Sequence, residues 1–311
     1  MNVAQIQTLG LVDDGGNLQI DTVTNALLDS PITMPAGATI TFDPTATIPF
    51  TNVINGAGSL VVNGSGAVIT NSGNFTYTGN TTITKGDLVL TPSATIASPD
   101  IIIASAGTMD VSQLSPAFTL NSGQVLSNSS STATINGSFN TGSGTLSLTF
   151  ASSKPSFNVA NGTMSLSSGT ALNINNTGSA LGSGTYTLIG TNVNAAVAGT
   201  VPSPYALGGN ALQPNEQSSL IISSSNTLDL VVTYAGNPNP TNIVSSITGT
   251  NLTLSWPMDH TGWTLQAQTN SVSAGISTNW VSVSGSTTNN QVTIPMNPTN
   301  GCVFYRLMLM P

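Results

Sequence analysis

The stretch Thr76-Tyr-Thr-Gly-Asn-Thr-Thr-Ile-Thr-Lys-Gly-Asp-Leu-Val-Leu90 contains the pattern that decides the fold. It ends in a short aliphatic run, Asp87–Leu90, and turn-forming residues interrupt it at Gly79-Asn80 and at Gly86. Short runs of β-branched and aliphatic residues that are bounded by turn residues predict β-strands. Glu occurs once and Lys twice in the whole chain, so helix propensity is poor throughout.

The same pattern recurs on both sides of this stretch. Further strand-like runs are Ala38–Phe42, Ser59–Val62, Ala67–Thr70, Asp100–Ile103, Thr145–Leu148 and Leu220–Ile222. Strands spaced by about eight to twelve residues fit a sandwich, a barrel or a solenoid. The pattern continues without a long loop, and glycines that supply a positive φ follow asparagine at Asn55-Gly56, Asn63-Gly64, Asn136-Gly137 and Asn161-Gly162. These features favour a β-solenoid, similar to a parallel β-helix, over residues 38–235.

The composition changes after Tyr234, where the chain continues as Ala-Gly-Asn-Pro-Asn-Pro-Thr241. The two prolines predict a stiff linker over residues 236–241. All three tryptophans follow it, in alternating runs that predict a small antiparallel β-sandwich over residues 242–311. A stack of coils needs cover at both ends, so residues 1–37 are predicted to be an N-terminal cap or a strand-exchange segment, packed on their own chain or on another copy.

The Thr76–Leu90 stretch also carries a family resemblance. Its order of Tyr-Thr-Gly, Thr-Thr, Gly and Leu-x-Leu resembles the autotransporter-associated β-strand repeat of secreted bacterial passenger proteins. Gly184–Gly190 and Asn226–Thr233 are similar to the closing strands of such proteins. The resemblance implies an extracellular or cell-surface passenger, although no membrane-barrel domain follows here.

Charge and composition exclude several function classes. Charged residues make up 5% of the chain and the formal net charge is −8. Three basic residues, Lys85, Lys154 and Arg306, cannot neutralise a nucleic-acid backbone or anchor the chain to an anionic membrane. No apolar run approaches the roughly 20 residues of a spanning helix, and Cys302 alone cannot form an internal disulfide. The chain opens without a signal-like segment, so a signal was removed or the protein is cytosolic; the uncharged, hydroxyl-rich composition favours secretion.

Acidic residues suggest two candidate sites. Asp13, Asp14 and Asn17, followed by Asp21, offer the oxygen ligands that Ca²⁺ prefers, although their spacing matches no EF-hand loop and a solvated turn is the alternative. Asp87, Asp100 and Asp110 are candidate acid/base groups. If one coil takes about 20 residues, Asp87 and Asp110 lie on adjacent coils, whereas positions in turns and at strand ends explain them equally. We predict no enzyme activity and no cofactor apart from this candidate Ca²⁺.

Aromatic residues suggest a third candidate site. Trp256, Trp263 and Trp280 could stack on sugar rings, or they could form the core of a small domain. His260 follows Asp259 in a segment predicted to be a hairpin turn between two Trp-bearing strands. Side chains of strand neighbours point to opposite faces, which argues against a catalytic pair. Cys302 is predicted to be a buried small hydrophobic residue.

The scarcity of charge also bears on assembly. Free strand edges are usually guarded by lysine, proline or bulges, and this chain barely uses lysine. Unguarded edges admit a strand from a neighbour, and a head-to-tail contact of this kind propagates into a filament. The sequence therefore predicts an extracellular structural protein, a rigid stalk or a self-assembling filament subunit whose main partner is itself. The alternatives are an adhesive protein that binds surface polysaccharide through the tryptophans, a polysaccharide-cleaving enzyme, and a viral or phage fibre.

Overall fold

The computed structural model describes residues 17–20, 31–50, 52–70, 74–92, 94–151 and 154–309. In these residues the chain consists of β-strands and connections, and its one helical element is a 3₁₀ turn at Met258–His260. This confirms the predicted all-β class. The chain divides into two compact units, the first formed by Met1–Ser179, Thr185–Ala211 and Leu220–Leu230 and the second by Ala180–Gly184, Leu212–Ser219 and Val231–Pro311.

The described strands follow one another closely along the chain. Up to residue 128 they are β1 (Asn17–Ile20), β2 (Ile32–Met34), β3 (Thr39–Phe42), β4 (Ile48–Phe50), β5 (Ile54–Gly56), β6 (Ser59–Val62), β7 (Ala67–Thr70), β8 (Asn74–Phe75), β9 (Thr81–Leu90), β10 (Thr95–Ile96), β11 (Asp100–Asp110), β12 (Phe118–Thr119) and β13 (Val125–Asn128). From there to residue 234 they are β14 (Ala133–Asn136), β15 (Phe139–Asn140), β16 (Thr145–Phe150), β17 (Phe157–Leu166), β18 (Ala171–Asn176), β19 (Gly184–Thr191), β20 (Ala195–Gly199), β21 (Ala206–Gly209), β22 (Glu216–Ile222) and β23 (Leu228–Tyr234).

Parallel pairing arranges the strands of the first unit in three ladders. The first ladder runs through β1, β3, β6, the start of β9, the start of β11, β13, β16, β18 and β21. The second runs through β4, β7, the end of β9, the end of β11, β14, β17 and β19. The third comprises β2, β5, β8 and β10, and then β12, β15, the end of β17 and β20. The chain visits the ladders in turn, which confirms the predicted β-solenoid.

The pairing register fixes the coil length. Thr39 pairs with Ser59 and Val125 with Thr145, so these coils take 20 residues. Thr145 pairs with Ala171 and Asn173 with Ala206, so later coils take 26 and 33 residues. Two ladder strands, β1 and β2, precede residue 38, and they pair with β3 and β5 of the same chain.

The interior of the solenoid consists of side chains stacked from coil to coil. In the second ladder one buried column contains Ile48, Val68, Leu88, Met109, Ile135 and Val159. The corresponding column of the first ladder is aliphatic except at Thr81, which is fully buried. There the Tyr77 hydroxyl lies 2.5 Å from Thr81 Oγ1, so both polar groups are paired inside the core.

Glycines allow a strand to bend from one ladder into the next. Gly86 in β9 and Gly162 in β17 have φ angles of +75° and +80°, which disfavour other residues. Coils also approach closely there, because a Cβ on Gly162 would lie 2.6 Å from the carbonyl carbon of Gly137. The predicted positive φ is confirmed at Gly56, Gly137 and Gly162. It was wrong at Gly64, where close contact with the Pro44 backbone is what requires glycine.

The second unit contains two antiparallel three-stranded sheets. Its later strands are β24 (Val244–Thr248), β25 (Asn251–Ser255), β26 (Thr264–Asn270), β27 (Val281–Ser282), β28 (Gln291–Pro295) and β29 (Cys302–Met308). The sheet orders are β24-β25-β28 and β27-β26-β29. Leu254 and Trp256 pack with Leu265 of the other sheet, and Ile294 and Leu307 border this cluster. Apolar faces of two sheets therefore meet around one core, as predicted for a small sandwich.

The segment between the two Trp-bearing strands is not a hairpin turn, which corrects the prediction. β25 pairs with β24 and β28, whereas β26 pairs with β27 and β29. The segment that contains the 3₁₀ turn therefore crosses from one sheet to the other. Crossing connections of this kind are set by long-range pairing, which local turn signals do not reveal.

Candidate functional site

The outer surface of the solenoid carries a short ladder of hydrogen-bonded side chains, which we call the amide ladder (Asp110, Asn136 and Asn161). Asp110 pairs with Asn136 in the register of the second ladder, and Asn161 occupies the next coil. Asn136 Nδ2 donates to Asp110 Oδ2 at 2.9 Å, and Asn161 Nδ2 donates to Asn136 Oδ1 at 2.8 Å. Each amide thus donates toward the N-terminal coil, and the series ends on a group that only accepts.

The acidic residues considered for catalysis lie in this solenoid but do not converge. Asp87 and Asp110 are on adjacent coils, as the assumed coil length implies. Asp87 pairs with Thr108, however, whereas Asp110 pairs with Val89, so the two are out of register by two positions. Asp110 Oδ1 also accepts the Ser112 N–H at 2.8 Å. Both oxygens of this carboxylate are therefore engaged in structural hydrogen bonds.

The predicted calcium site falls mostly outside the described residues. Asp13, Asp14 and Asp21 lie there, and Asn17 is described only by its backbone at the start of β1. Elsewhere in the described ranges, no group of three or more His, Cys, Asp or Glu side chains is placed to hold a metal ion.

The three tryptophans occupy different environments within the second unit. Trp256 and Trp263 are 3% and 6% exposed, so neither ring offers an open face to a sugar. Trp256 belongs to the sandwich core, and the Trp263 indole N–H donates to the Asn237 carbonyl oxygen at 3.1 Å. Trp280 is half-buried. The core role that the sequence left open fits the first two rings, and a surface role is restricted to the third.

Trp280 forms a small surface cluster with the chain's single arginine. The Arg306 guanidinium lies 4.3 Å from the centre of the Trp280 ring, a cation–π geometry. Gln266 Oε1 accepts hydrogen bonds from Arg306 Nε at 2.9 Å and Nη2 at 2.7 Å. One face of the indole is thus covered by the protein's own side chain. Neither partner was identified from sequence, because 40 residues separate Gln266 from Arg306.

His260 and Asp259 are hydrogen-bonded to each other, contrary to the expectation that their side chains diverge. They lie in a 3₁₀ turn, where neighbours are not alternated as in a strand. His260 Nδ1 is 2.8 Å from Asp259 Oδ1, and Nε2 is 2.7 Å from the Asn239 carbonyl oxygen. The ring is 2% exposed and both nitrogens are occupied, so the pair pins residues of the predicted linker rather than presenting a base. Hydrogen bonds from Asn237 and His260 hold the pKa of Asp259 below its usual value.

Strand β24 is an exposed edge of the second unit. It lies at the end of its sheet, and all five residues are exposed. Ile247, which is 65% exposed, pairs with Leu252 of the core-facing side of β25. Paired residues project from the same sheet face, so Ile247 continues the apolar face beyond its cover. No charged residue or proline occurs in Val244–Thr248 to guard this edge.

Other residues were placed as follows. Cys302 is a free thiol on β29 and is half-buried rather than buried. In the described part of the chain, no helix has the length and apolar character that crossing a membrane requires. Comparison of the chain with family models, with curated proteins and with solved structures gives no match.

Proposed function

We propose that this chain is an extracellular structural protein, a rigid stalk or the subunit of a filament that assembles from copies of itself. The observation that carries the proposal is the in-register stacking of coils, each of which buries its apolar side chains against the coils before and after it. In such a stack stability comes from contacts between neighbouring coils, so added length strengthens the whole.

The sparse charge supports assembly between copies. From Asp110 to Lys154 the chain has no intervening charged residue, and the outer positions there are mostly Ser, Thr and Asn. Two such surfaces repel each other weakly, and their hydroxyl and amide groups can pair with a neighbour as they do in the amide ladder. The unguarded strand β24 supplies an edge at which a second copy can add a strand.

The extracellular location is part of the same proposal. The resemblance of Thr76–Leu90 to passenger repeats supports it, and so does a composition with 5% charged residues and one cysteine. A protein of this kind acts by holding a shape and a spacing.

The test is polymer formation by the full chain and by two lysine variants. We would follow the purified protein by electron microscopy and sedimentation velocity over a wide concentration range, with Ile247→Lys as the edge variant. Val193→Lys is the matched control, because Val193 is fully exposed in the turn between β19 and β20 and receives the same substitution. We expect ordered polymers from the parent and the control but not from Ile247→Lys. A parent that stays monomeric at high concentration contradicts the filament, and a discrete trimer favours the viral-fibre alternative.

A further inference from the structure

The second unit contains a cleft of about 440 Å³ that none of the predicted site residues forms. Two of its walls come from segments distant in sequence, residues 180–184 and 212–219. Gln213 N–H donates to the Leu181 carbonyl oxygen at 2.8 Å, which joins these walls. Tyr234, Thr287 and Thr288 complete the lining. The volume lies within the range of about 300–1,000 Å³ that is typical of small-molecule sites.

Glu216, the chain's single glutamate, is held in place at this cleft. Its Oε1 accepts hydrogen bonds from the Ser183 main-chain N–H at 3.1 Å and from Ser183 Oγ at 3.0 Å. Oε2 lies 3.1 Å from the same hydroxyl. A carboxylate has about four lone-pair sites, so this one retains acceptor capacity toward the cleft while its position is fixed.

The remaining lining is uncharged and rich in groups that both donate and accept hydrogen bonds. Of the lining side chains in the described residues, only Glu216 carries a charge. Hydroxyls of Ser183, Thr287 and Thr288 and the amide of Gln213 lie around it, and Tyr234 adds an aromatic ring. Without a cation the cleft disfavours anionic ligands, and one carboxylate is too few for a Ca²⁺ site.

Hydrogen-bonding capacity is also left unused directly behind this lining. Four buried side-chain polar atoms lack a partner in the described part of the chain, and all four belong to the second unit. Two of them, Asn215 Nδ2 and the Tyr234 hydroxyl, belong to a residue next to Glu216 and to a lining residue. Natural proteins pair nearly all buried polar groups, and exceptions concentrate at functional sites. The walls of this cleft are therefore not arranged for stability alone.

We propose that this cleft binds a neutral saccharide of one or two sugar rings, with Glu216 as the central acceptor. Sugar hydroxyls donate to the carboxylate and exchange hydrogen bonds with the threonine hydroxyls and the Gln213 amide. The Tyr234 ring supplies an apolar wall for the C–H face of the sugar. This activity goes beyond the structural role and does not depend on polymer formation. It also differs from the tryptophan platform considered from sequence, because no tryptophan lines the described cleft.

The test is binding of the full chain to a printed array of neutral and acidic glycans at pH 7, followed by calorimetric titration of the best-binding free oligosaccharide. Glu216→Gln keeps the shape and one acceptor oxygen but removes the charge that strengthens the hydrogen bonds, so we expect binding at least tenfold weaker. Asp259→Asn is the matched control, because it removes one carboxylate of the same unit outside the cleft, and its binding should equal that of the parent. Ser183→Ala, which frees the Glu216 side chain, should fall between the two.

Several results would overturn the proposal. These are an array without neutral-glycan binding, equal affinity of Glu216→Gln and the parent, or equal losses in Glu216→Gln and Asp259→Asn. Binding that disappears between 0.05 and about 0.5 M salt would indicate a cationic ligand instead, because screening weakens charge pairs and leaves neutral hydrogen bonds largely intact. Polymer formation by Glu216→Gln is measured in parallel. Its persistence separates failure of the cleft from failure of the structural role.

Discussion

The amide ladder provides a direct test of whether side-chain stacking stabilises the solenoid. Asn136→Ala removes two hydrogen bonds, one of 2.9 Å to Asp110 and one of 2.8 Å from Asn161. At about 0.5–1.5 kcal/mol for each partly exposed bond, the unfolding free energy should fall by about 1–3 kcal/mol. Asn136→Asp retains the bond from Asn161, so hydrogen bonding alone predicts a smaller loss.

Charge reverses that order, because Asn136→Asp brings a second carboxylate against Asp110 in the register of the ladder. At a separation of about 4 Å and an effective dielectric constant of 20–40, the repulsion is about 2–4 kcal/mol. With the lost donor, the total is about 3–5 kcal/mol at pH 7. Below about pH 4 carboxyls of ordinary pKa take up protons, and a protonated Asp at position 136 can again donate to Asp110.

Urea unfolding of the parent and of both variants at pH 7 and pH 3.5 measures these differences. The expected order at pH 7 is parent, then Asn136→Ala, then Asn136→Asp, and the aspartate variant should approach the alanine variant at pH 3.5. Asn194→Asp is the control for added charge, since Asn194 is exposed in the turn before β20. If Asn136→Asp is no less stable than Asn194→Asp at pH 7, the side-chain ladder does not contribute as described.

Two further predictions concern one backbone position and one titrating group. Gly162→Ala combines φ +80° with a 2.6 Å overlap, so it should cost more than 2 kcal/mol by urea unfolding, about the upper end of isolated strain terms; Gly169→Ala, whose Cβ finds its nearest neighbour at 3.7 Å, should be close to neutral. Asp259 has a pKa held below its ordinary 3.8 by Asn237 and His260, so its contribution is present above that value and is lost as pH falls through the lowered folded pKa. Thermal unfolding from pH 7 to pH 2 should accordingly show a gap between the parent and Asp259→Asn that closes only at the acid end, and a gap that is constant with pH would contradict this assignment.

Local pattern was sufficient to predict the strands but not their continuity. Asp87–Leu90 and Asp100–Ile103 were identified as strands, and the structure places them within the longer β9 and β11. The glycines between the apolar runs suggested breaks. Gly86 instead bends β9 from one ladder to the next without ending it, because glycine permits both a positive φ and continued pairing.

Long-range pairing explains what the sequence could not predict. The coil length varies from 20 to 33 residues, so no fixed period identifies the partner of a strand. Glu216 lies 33 residues from Ser183, and nothing local to either residue indicates a shared cleft. The role of the tryptophans was ambiguous for a related reason, since alternation shows that one face of a strand is covered but not by what. The predicted calcium ligands lie outside the described residues, and the resemblance to passenger repeats stays a prediction.

Equal coil lengths at the N-terminal side have a consequence for how such a chain changes size. Residues 39–58 form one complete circuit, and the next circuit begins at Ser59 in the position that Thr39 occupied. Duplicating that circuit in the gene would insert a layer whose upper and lower surfaces already fit each other. Length in this architecture is thus a quantity that recombination can adjust in whole steps, with no other part of the molecule having to be redesigned.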